Sequence, residues 1–316
     1  MKIITANRAS AILFWFLKKF SDGAYLLPAN ICPIVPLTFL KAKVKFQFVD
    51  IEPKNYCIDR NMVLDMLKTN PRKYKGIVFV HTYGREYEVE EFFSDLKKLN
   101  EDFKIIDDRC LCFPNVNQII GFADLVLFST TYGKVVDMGK GGFAVVEDNE
   151  IFESKYLLYN PEDLQKLNNN CKYCYQNSKK ISVENNNWLD ADLNTLGEEY
   201  FIEISKKIEE SKKIKNSLNK IYDDKLPNSI KLGKDFNSWR FNILVDNQQE
   251  ILDSILQNKL FASSHYDVTS KIFNDNKYPV AENLSKAIIN LFNDRYFSED
   301  KRSEEHTSEL QSHHPI

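Results

Sequence analysis

Through the first half of the chain, short runs rich in β-branched and apolar residues alternate with stretches of helical spacing. No other feature limits the fold as much. The runs are Ala24 to Leu27, Val44 to Val49, Gly76 to His81, Phe103 to Ile106, Leu125 to Phe128 and Gly142 to Val146. Between them, Asn61 to Lys68 and Val89 to Leu99 set apolar residues three and four apart, as on one face of a helix. Parallel strands cannot be joined by a tight turn and need a crossover, so this alternation predicts βαβ units. The expected class is α/β, with a mostly parallel sheet covered by helices.

With 316 residues there is room for one large domain and a smaller one, and 43% hydrophobic with 28% charged residues is ordinary for a globular chain. Beyond about Asp148 the composition turns to Asn, Lys, Glu and Tyr. Tyr200 to Ile221 then reads as a long connecting helix of alternating charge. A strand at Phe241 to Val245, a helix at Gln249 to Leu256 and a last helix at Ala281 to Phe292 predict a small C-terminal α/β lobe. The expected division is 1–200, a large domain; 201–301, the connecting helix and small domain; and 302–316, a non-native tail. In that tail, Arg302 to Ser312 reads R-S-E-E-H-T-S-E-L-Q-S, like the in-frame translation of a sequencing adapter; a disordered polar tail is the alternative. On either reading His306, His313 and His314 are not metal ligands.

A net charge of −3 gives no electrostatic footprint for nucleic acid or an anionic membrane. Ala11 to Leu17 is apolar, but Lys18 and Lys19 follow where a secretory signal needs small residues. Gly23 to Leu40 lacks charge, yet Pro28, Pro33, Pro36 and Asn30 argue for strand, loop and helix start over a membrane span. The six cysteines, Cys32, Cys57, Cys110, Cys112, Cys171 and Cys174, have neither a secreted disulfide spacing nor a second C-x-x-C to match Cys171 and Cys174. Free thiols in a cytoplasmic protein without a metal site are expected.

Chemistry concentrates at two strand ends. Phe128 to Gly142 reads F-S-T-T-Y-G-K-V-V-D-M-G-K-G-G, presenting Lys134 between a buried strand and a glycine turn. Upstream, K-I-I-D-D-R brings Asp107 and Asp108 to the same sheet edge. A lysine and an aspartate held there suit pyridoxal phosphate, which needs an amine, an acid for its ring nitrogen, a phosphate cup and a ring cover. Lys134 is the candidate amine, since partial desolvation favours its nucleophilic form; a simply solvated lysine is the alternative. Asp108 is the candidate ring-nitrogen acid, with Asp107 on the opposite face; alternatively one aspartate caps the next turn and the other faces water. Thr5 to Ala11, T-A-N-R-A-S-A, offers the amides of a first helical turn to an anion, or is an ordinary helix start. Ser129 could add a hydroxyl.

Taken in order, these segments resemble the DegT/StrS family of nucleotide-sugar aminotransferases. The likeness runs over roughly residues 5 to 295 and also takes in L-L-P-A-N-I-C-P, V-D-I-E-P, V-H-T-Y-G-R, S-H-Y at Ser264 to Tyr266, and P-V-A-E-N-L from Pro279. It implies a three-layer type I pyridoxal-phosphate transferase fold and a ping-pong aminotransferase acting as a homodimer. An amino donor, usually glutamate, and a keto-sugar nucleotide would be the substrates. By position Lys134 is like the Schiff-base lysine, Asp108 like the pyridinium acid, and Ser129, Ala6 and Asn7 like phosphate contacts. Cys32 stands where an aromatic commonly stacks on the ring, and Leu111 where the family has glutamine. A related branch has histidine for the lysine and dehydrates sugars, so Lys134 favours transamination. The family's Asn-x-Arg segment has its nearest counterpart at Asn187-Trp188.

Other residues have balanced readings. His81 and Tyr83 are ring or substrate contacts, or core. His265 and Tyr266 line a sugar cleft, or stabilise the small lobe. Arg240 pairs with an anion of the ligand, or makes a surface salt bridge. The rival functions are a non-catalytic relative that keeps the fold and a pyridoxal-phosphate enzyme acting on a non-sugar ketone.

Overall fold

The computed structural model of the chain describes residues 2–147, 152, 157–183, 186–193, 196–265 and 267–295. The tail at 302–316 and Tyr266 lie outside them. Strands β1 (Lys2–Ala6), β2 (Ala24–Pro28), β3 (Lys45–Val49), β4 (Tyr74–Val80), β5 (Lys104–Asp108), β6 (Leu125–Ser129) and β7 (Gly142–Val146) form one sheet in the order β1-β7-β6-β5-β4-β2-β3. All pairings from β3 across to β6 are parallel, while β7 runs antiparallel to both β6 and β1. The carboxyl ends of β1 to β6 therefore share one edge, where open α/β sheets bind ligands.

Strand β1 is absent from the sequence reading, which places a helical turn across Thr5 to Ala11. The β-branched K-I-I-T-A segment instead pairs with β7, with Ala6 opposite Gly142, and the helix α1 (Ala9–Lys19) starts three residues later. Helix α1 is apolar nearly all round and buried from Ala11 to Leu17, because it lies between the sheet and further chain. The Trp15 indole donates to the Ala191 carbonyl at 2.6 Å, strapping the 186–193 segment over it. The seven-residue apolar run is thus the centre of a buried helix.

Helices α1, α2 (Ile34–Ala42) and α5 (Pro161–Gln176) share one apolar cluster, on one face of the sheet. Helices α3 (Arg60–Thr69), α4 (Glu90–Leu99) and the start of α6 (Glu198–Lys225) contribute to a second, on the other. This gives the three layers. Asp59 caps α3 by accepting from the Met62 amide, and Asn160 with Pro161 starts α5. Cys171 and Cys174 lie on α5 as buried, unpaired packing residues, and burial pushes Cys171 up to about 12.

Helix α6 leads to a smaller sheet, β8 (Phe241–Leu244), β10 (Ile288–Leu291) and β9 (Ala262–Ser263) in the order β8-β10-β9, flanked by α7 (Gln248–Gln257) and α8 (Pro279–Ala287). The last helix expected at Ala281 to Phe292 stops at Ala287. Ile288 and Ile289, β-branched and fully buried, become the middle strand of this sheet. Asp50, just past β3, fastens the lobe by accepting from the Val280 and Ala281 amides, both at 3.0 Å, so a carboxylate of the large sheet caps α8. Among the described residues no helix is long and apolar enough to cross a membrane, and no cluster of His, Cys, Asp or Glu could hold a metal.

Candidate active site

Alternation along β5 separates its two aspartates. Ile105 and Asp107 point to the α3/α4 face, Ile106 and Asp108 to the α1/α2 face. Asp107, 2% exposed, is 2.8 Å from His81 Nε2 and accepts from Arg109 Nε at 2.7 Å. Burial alone would raise its pKa, but His81 and then Arg109 outweigh that and hold the carboxyl below the usual carboxylate range. His81 is therefore a core residue, its Nδ1 lying 3.0 Å from the Arg85 carbonyl and 3.2 Å from the Tyr87 amide. Tyr83 is fully buried too, but its hydroxyl has no hydrogen-bond partner among the described residues.

Asp108 has different company. It is buried at the strand end and accepts the Cys110 amide at 2.9 Å, and among the described residues no cation is ion-paired with it. Burial pushes the Cys110 thiol well up, with the Asp108 charge adding to the shift and Lys134 opposing it. Burial likewise raises Cys32, again with Lys134 opposing and Asp108 adding. Both thiols feel both charges, so Lys134, Asp108, Cys32 and Cys110 lie near one another at this edge of the sheet. Sequence reading named three of these four. Cys110 was visible only as one cysteine among six.

The rest of the edge follows from register. Asp108 lies opposite Leu127, Ser129 opposite Gly142, and Gly142 opposite Ala6. Ser129 and Ala6 thus share the Asp108 face, where α1 begins. Ala6 is fully buried in the strand pair, and Asn7 is half-buried. The first helical amides, of Ala9 and Ser10, have no side-chain cap, and Ser129 Oγ lies 3.0 Å from Thr131 Oγ1. The close approach needs glycine: a Cβ at Gly142 would meet the Ala9 nitrogen at 2.5 Å. Gly141, at φ +96°, leaves room for the Thr130–Tyr200 hydrogen bond of 2.7 Å and donates to the Asn7 carbonyl at 2.7 Å.

Lys134, half-buried, sits in the loop between β6 and β7. Asp137 accepts the Gly133 and Gly139 amides at 2.9 and 2.8 Å, and Thr130 Oγ1 donates to the Lys140 carbonyl at 2.8 Å. The carbonyls of Gly133 and Val135 accept from Trp239 Nε1 and Ser211 Oγ. The last two supports do not show in a local motif, because Trp239 and Ser211 come from distant elements.

These residues fit pyridoxal phosphate. An amine and an acid lie near the same two thiols, and uncapped amides with two hydroxyls stand at a helix N-terminus on the same sheet edge. One feature opposes an anion: Asp190 accepts from Asn7 Nδ2 at 3.3 Å. The Asn187-Trp188 segment supplies no arginine; Trp188 and Leu189 are buried instead. Arg240, read as the partner of a ligand anion or as a surface ion pair, is buried, bonded to Asp294 and packed 3.9 Å over the Phe292 ring, just before β8.

The sequence pattern of the DegT/DnrJ/EryC1/StrS aminotransferase family matches residues 37–302, well over half of the chain. The chain belongs to this family of pyridoxal-phosphate-dependent aminotransferases. Solved structures agree on the fold. The sugar aminotransferase CalS13 from Micromonospora echinospora superposes with a TM-score of 0.68 at 14% identity, covering 98% of this chain and 87% of that one. PseC from Helicobacter pylori, an aminotransferase of pseudoaminic acid biosynthesis, gives 0.66 at 17% identity, covering 99% and 86%. A GDP-4-keto-6-deoxy-D-mannose-3-dehydratase from E. coli, solved with hydrated pyridoxal phosphate, gives 0.62 at 15% identity, covering 99% and 87%.

Proposed function

We propose that the chain transfers an amino group from an amino acid, glutamate by preference, to a keto-sugar nucleotide in amino-sugar and surface-polysaccharide biosynthesis. What supports this is that Lys134 and Asp108 lie near the same two thiols, Cys32 and Cys110, at the sheet edge that Ser129 and Ala6 share with Asp108. Pyridoxal phosphate, when bound, supplies an aldehyde and an electron-withdrawing ring. Lys134 is the residue that bonds the aldehyde. When free, its amine would serve as the base for the proton on the donor α-carbon and would hold that proton for return. Asp108 keeps a proton on the ring nitrogen. The Ala9 and Ser10 amides, with Asn7, Ser129 and Thr131, receive the phosphate at the end of β1, where Ala6 sets the approach of α1. Cys32 covers the ring in place of an aromatic.

Dehydration of the sugar is the neighbouring chemistry, given the dehydratase fold relative. A lysine at 134, where the dehydratase branch carries histidine, favours transamination. Cys32 and Leu111 motivate a second reading, a relative that binds without turnover; a third is the same chemistry on a non-sugar ketone. Glutamate added to the cofactor-loaded protein should convert its absorbance to that of the aminated cofactor, and Lys134→Ala should abolish the starting band. An unchanged spectrum with glutamate would favour the binding-only reading. Screening keto-sugar nucleotides against other ketones then separates the first reading from the third.

A homodimer with the cofactor between subunits is part of this proposal, as in the family's usual assembly; a monomer in sedimentation that still transaminates would refute it. A cytoplasmic setting is supported by six unpaired cysteines. Fractionation that finds the protein outside the cytoplasm would refute that.

A further inference from the structure

Of the two peptide carbonyls that flank Lys134, one is held directly by the connecting helix and the other by a tryptophan that this helix in turn holds. Ser211 Oγ donates to the Val135 carbonyl at 2.7 Å. The Trp239 indole donates to the Gly133 carbonyl at 2.8 Å, and the carbonyl of Trp239 accepts from Lys215 Nζ at 2.8 Å. Ser211 and Lys215 stand four residues apart, on one face of α6. Between that face and the loop lies a cavity of about 40 Å³ lined by Lys134, Val135, Ser211 and Ile214 among others.

The anchor is buried and well bonded. Lys215 is 3% exposed and also donates to Asn293 Oδ1 at 2.8 Å, while Asn293 donates to Asn219 Oδ1 at 2.8 Å and to the Asn237 carbonyl at 3.1 Å. A satisfied buried polar network is rigid and has few alternative geometries. The loop has no regular secondary structure of its own from Thr130 to Gly141, so its conformation at Lys134 depends on what grips it. A catalytic group displaced by about 1 Å loses roughly a hundredfold in rate.

We propose that Ser211, Trp239 and Lys215 are positioning residues for Lys134, a clamp by which the connecting helix fixes the two peptide groups beside the reacting lysine. This rests on Lys134 being the residue that bonds the cofactor. Because Trp239 immediately precedes the small sheet, the clamp also links the placement of that sheet to the lysine.

The test uses the full chain loaded with pyridoxal phosphate, comparing wild type with Ser211→Ala, Ser211→Thr and Trp239→Phe. The readouts are the pH midpoint of the cofactor–lysine absorbance, the single-turnover rate with glutamate, and amide exchange of residues 131–138 in the cofactor-free chain. Ser211→Ala and Trp239→Phe should retain attachment at Lys134, shift the midpoint by about half a unit and slow the turnover about tenfold, with faster exchange in the loop. Ser211→Thr, which keeps the hydroxyl, should restore wild-type behaviour. A wild-type midpoint, rate and exchange in Ser211→Ala would overturn the clamp while leaving the role of Lys134 intact, whether or not Trp239→Phe folds. Wild-type protein that attaches the cofactor elsewhere would overturn the underlying assignment and the clamp with it.

Discussion

Two adjacent aspartates on β5 illustrate how one residue step divides structure from chemistry. Asp107 balances Arg109 and His81 in the core, so Asp107→Asn removes a buried charge partner and should cost about 3–5 kcal/mol of stability. Asp108→Asn should fold nearly normally but slow the glutamate half-reaction at least about a hundredfold, the scale of a lost positioned acid. Urea unfolding and stopped-flow absorbance separate the two effects; equal loss of stability in both variants would contradict the division. The alternation of a strand made their opposite facing legible in the sequence, but the partners of Asp107 were not, because His81 arrives from β4.

Lys215 gives a residue-scale prediction about pH. Burial, helped by the Arg240 charge and opposed by Asp294, pulls it down to about 7. An unfolded lysine titrates near about 10.4. Between these values the unfolded chain holds more protons, so stability is greatest above the upper value and is lost as pH falls toward the lower one. From pH 7 to 9 the unfolding free energy of the wild type should therefore rise, by at most about 1.4 kcal/mol per unit, and Lys215→Met should flatten that rise. An unchanged slope in the variant would show that Lys215 is not the titrating group.

At the scale of elements, the phosphate cup depends on how tightly α1 meets β7. Gly142→Ala should push the first turn of α1 off the strand, because both clashing groups are backbone. A cost of about 1–3 kcal/mol in stability is expected, with a clear loss of pyridoxal phosphate affinity by fluorescence titration. Wild-type affinity in this variant would place the phosphate elsewhere. The glycines of G-K-G-G marked a turn in the sequence. Which helix they admit was hidden, because β1, a five-residue strand next to small residues typical of a helix start, escaped the periodicity. Similarly, Ile288 to Leu291 continued the apolar spacing of α8, and only pairing with β8 and β9 makes them a strand.

For the whole molecule, the central strands and most of the helices of the large sheet were legible because βαβ units write their own punctuation. The candidate site was legible where the chemistry needs a particular side chain, at Lys134, Asp108 and Ser129. It was not legible where support comes from far along the chain: Trp239 and Ser211 grip the lysine loop from more than seventy residues away. The central claim is that Lys134 carries the cofactor. Borohydride reduction of the pyridoxal phosphate-loaded chain, followed by peptide mass mapping, should place the label on Lys134 alone. A label on Lys140, Lys215 or another lysine, or none at all, would contradict the account.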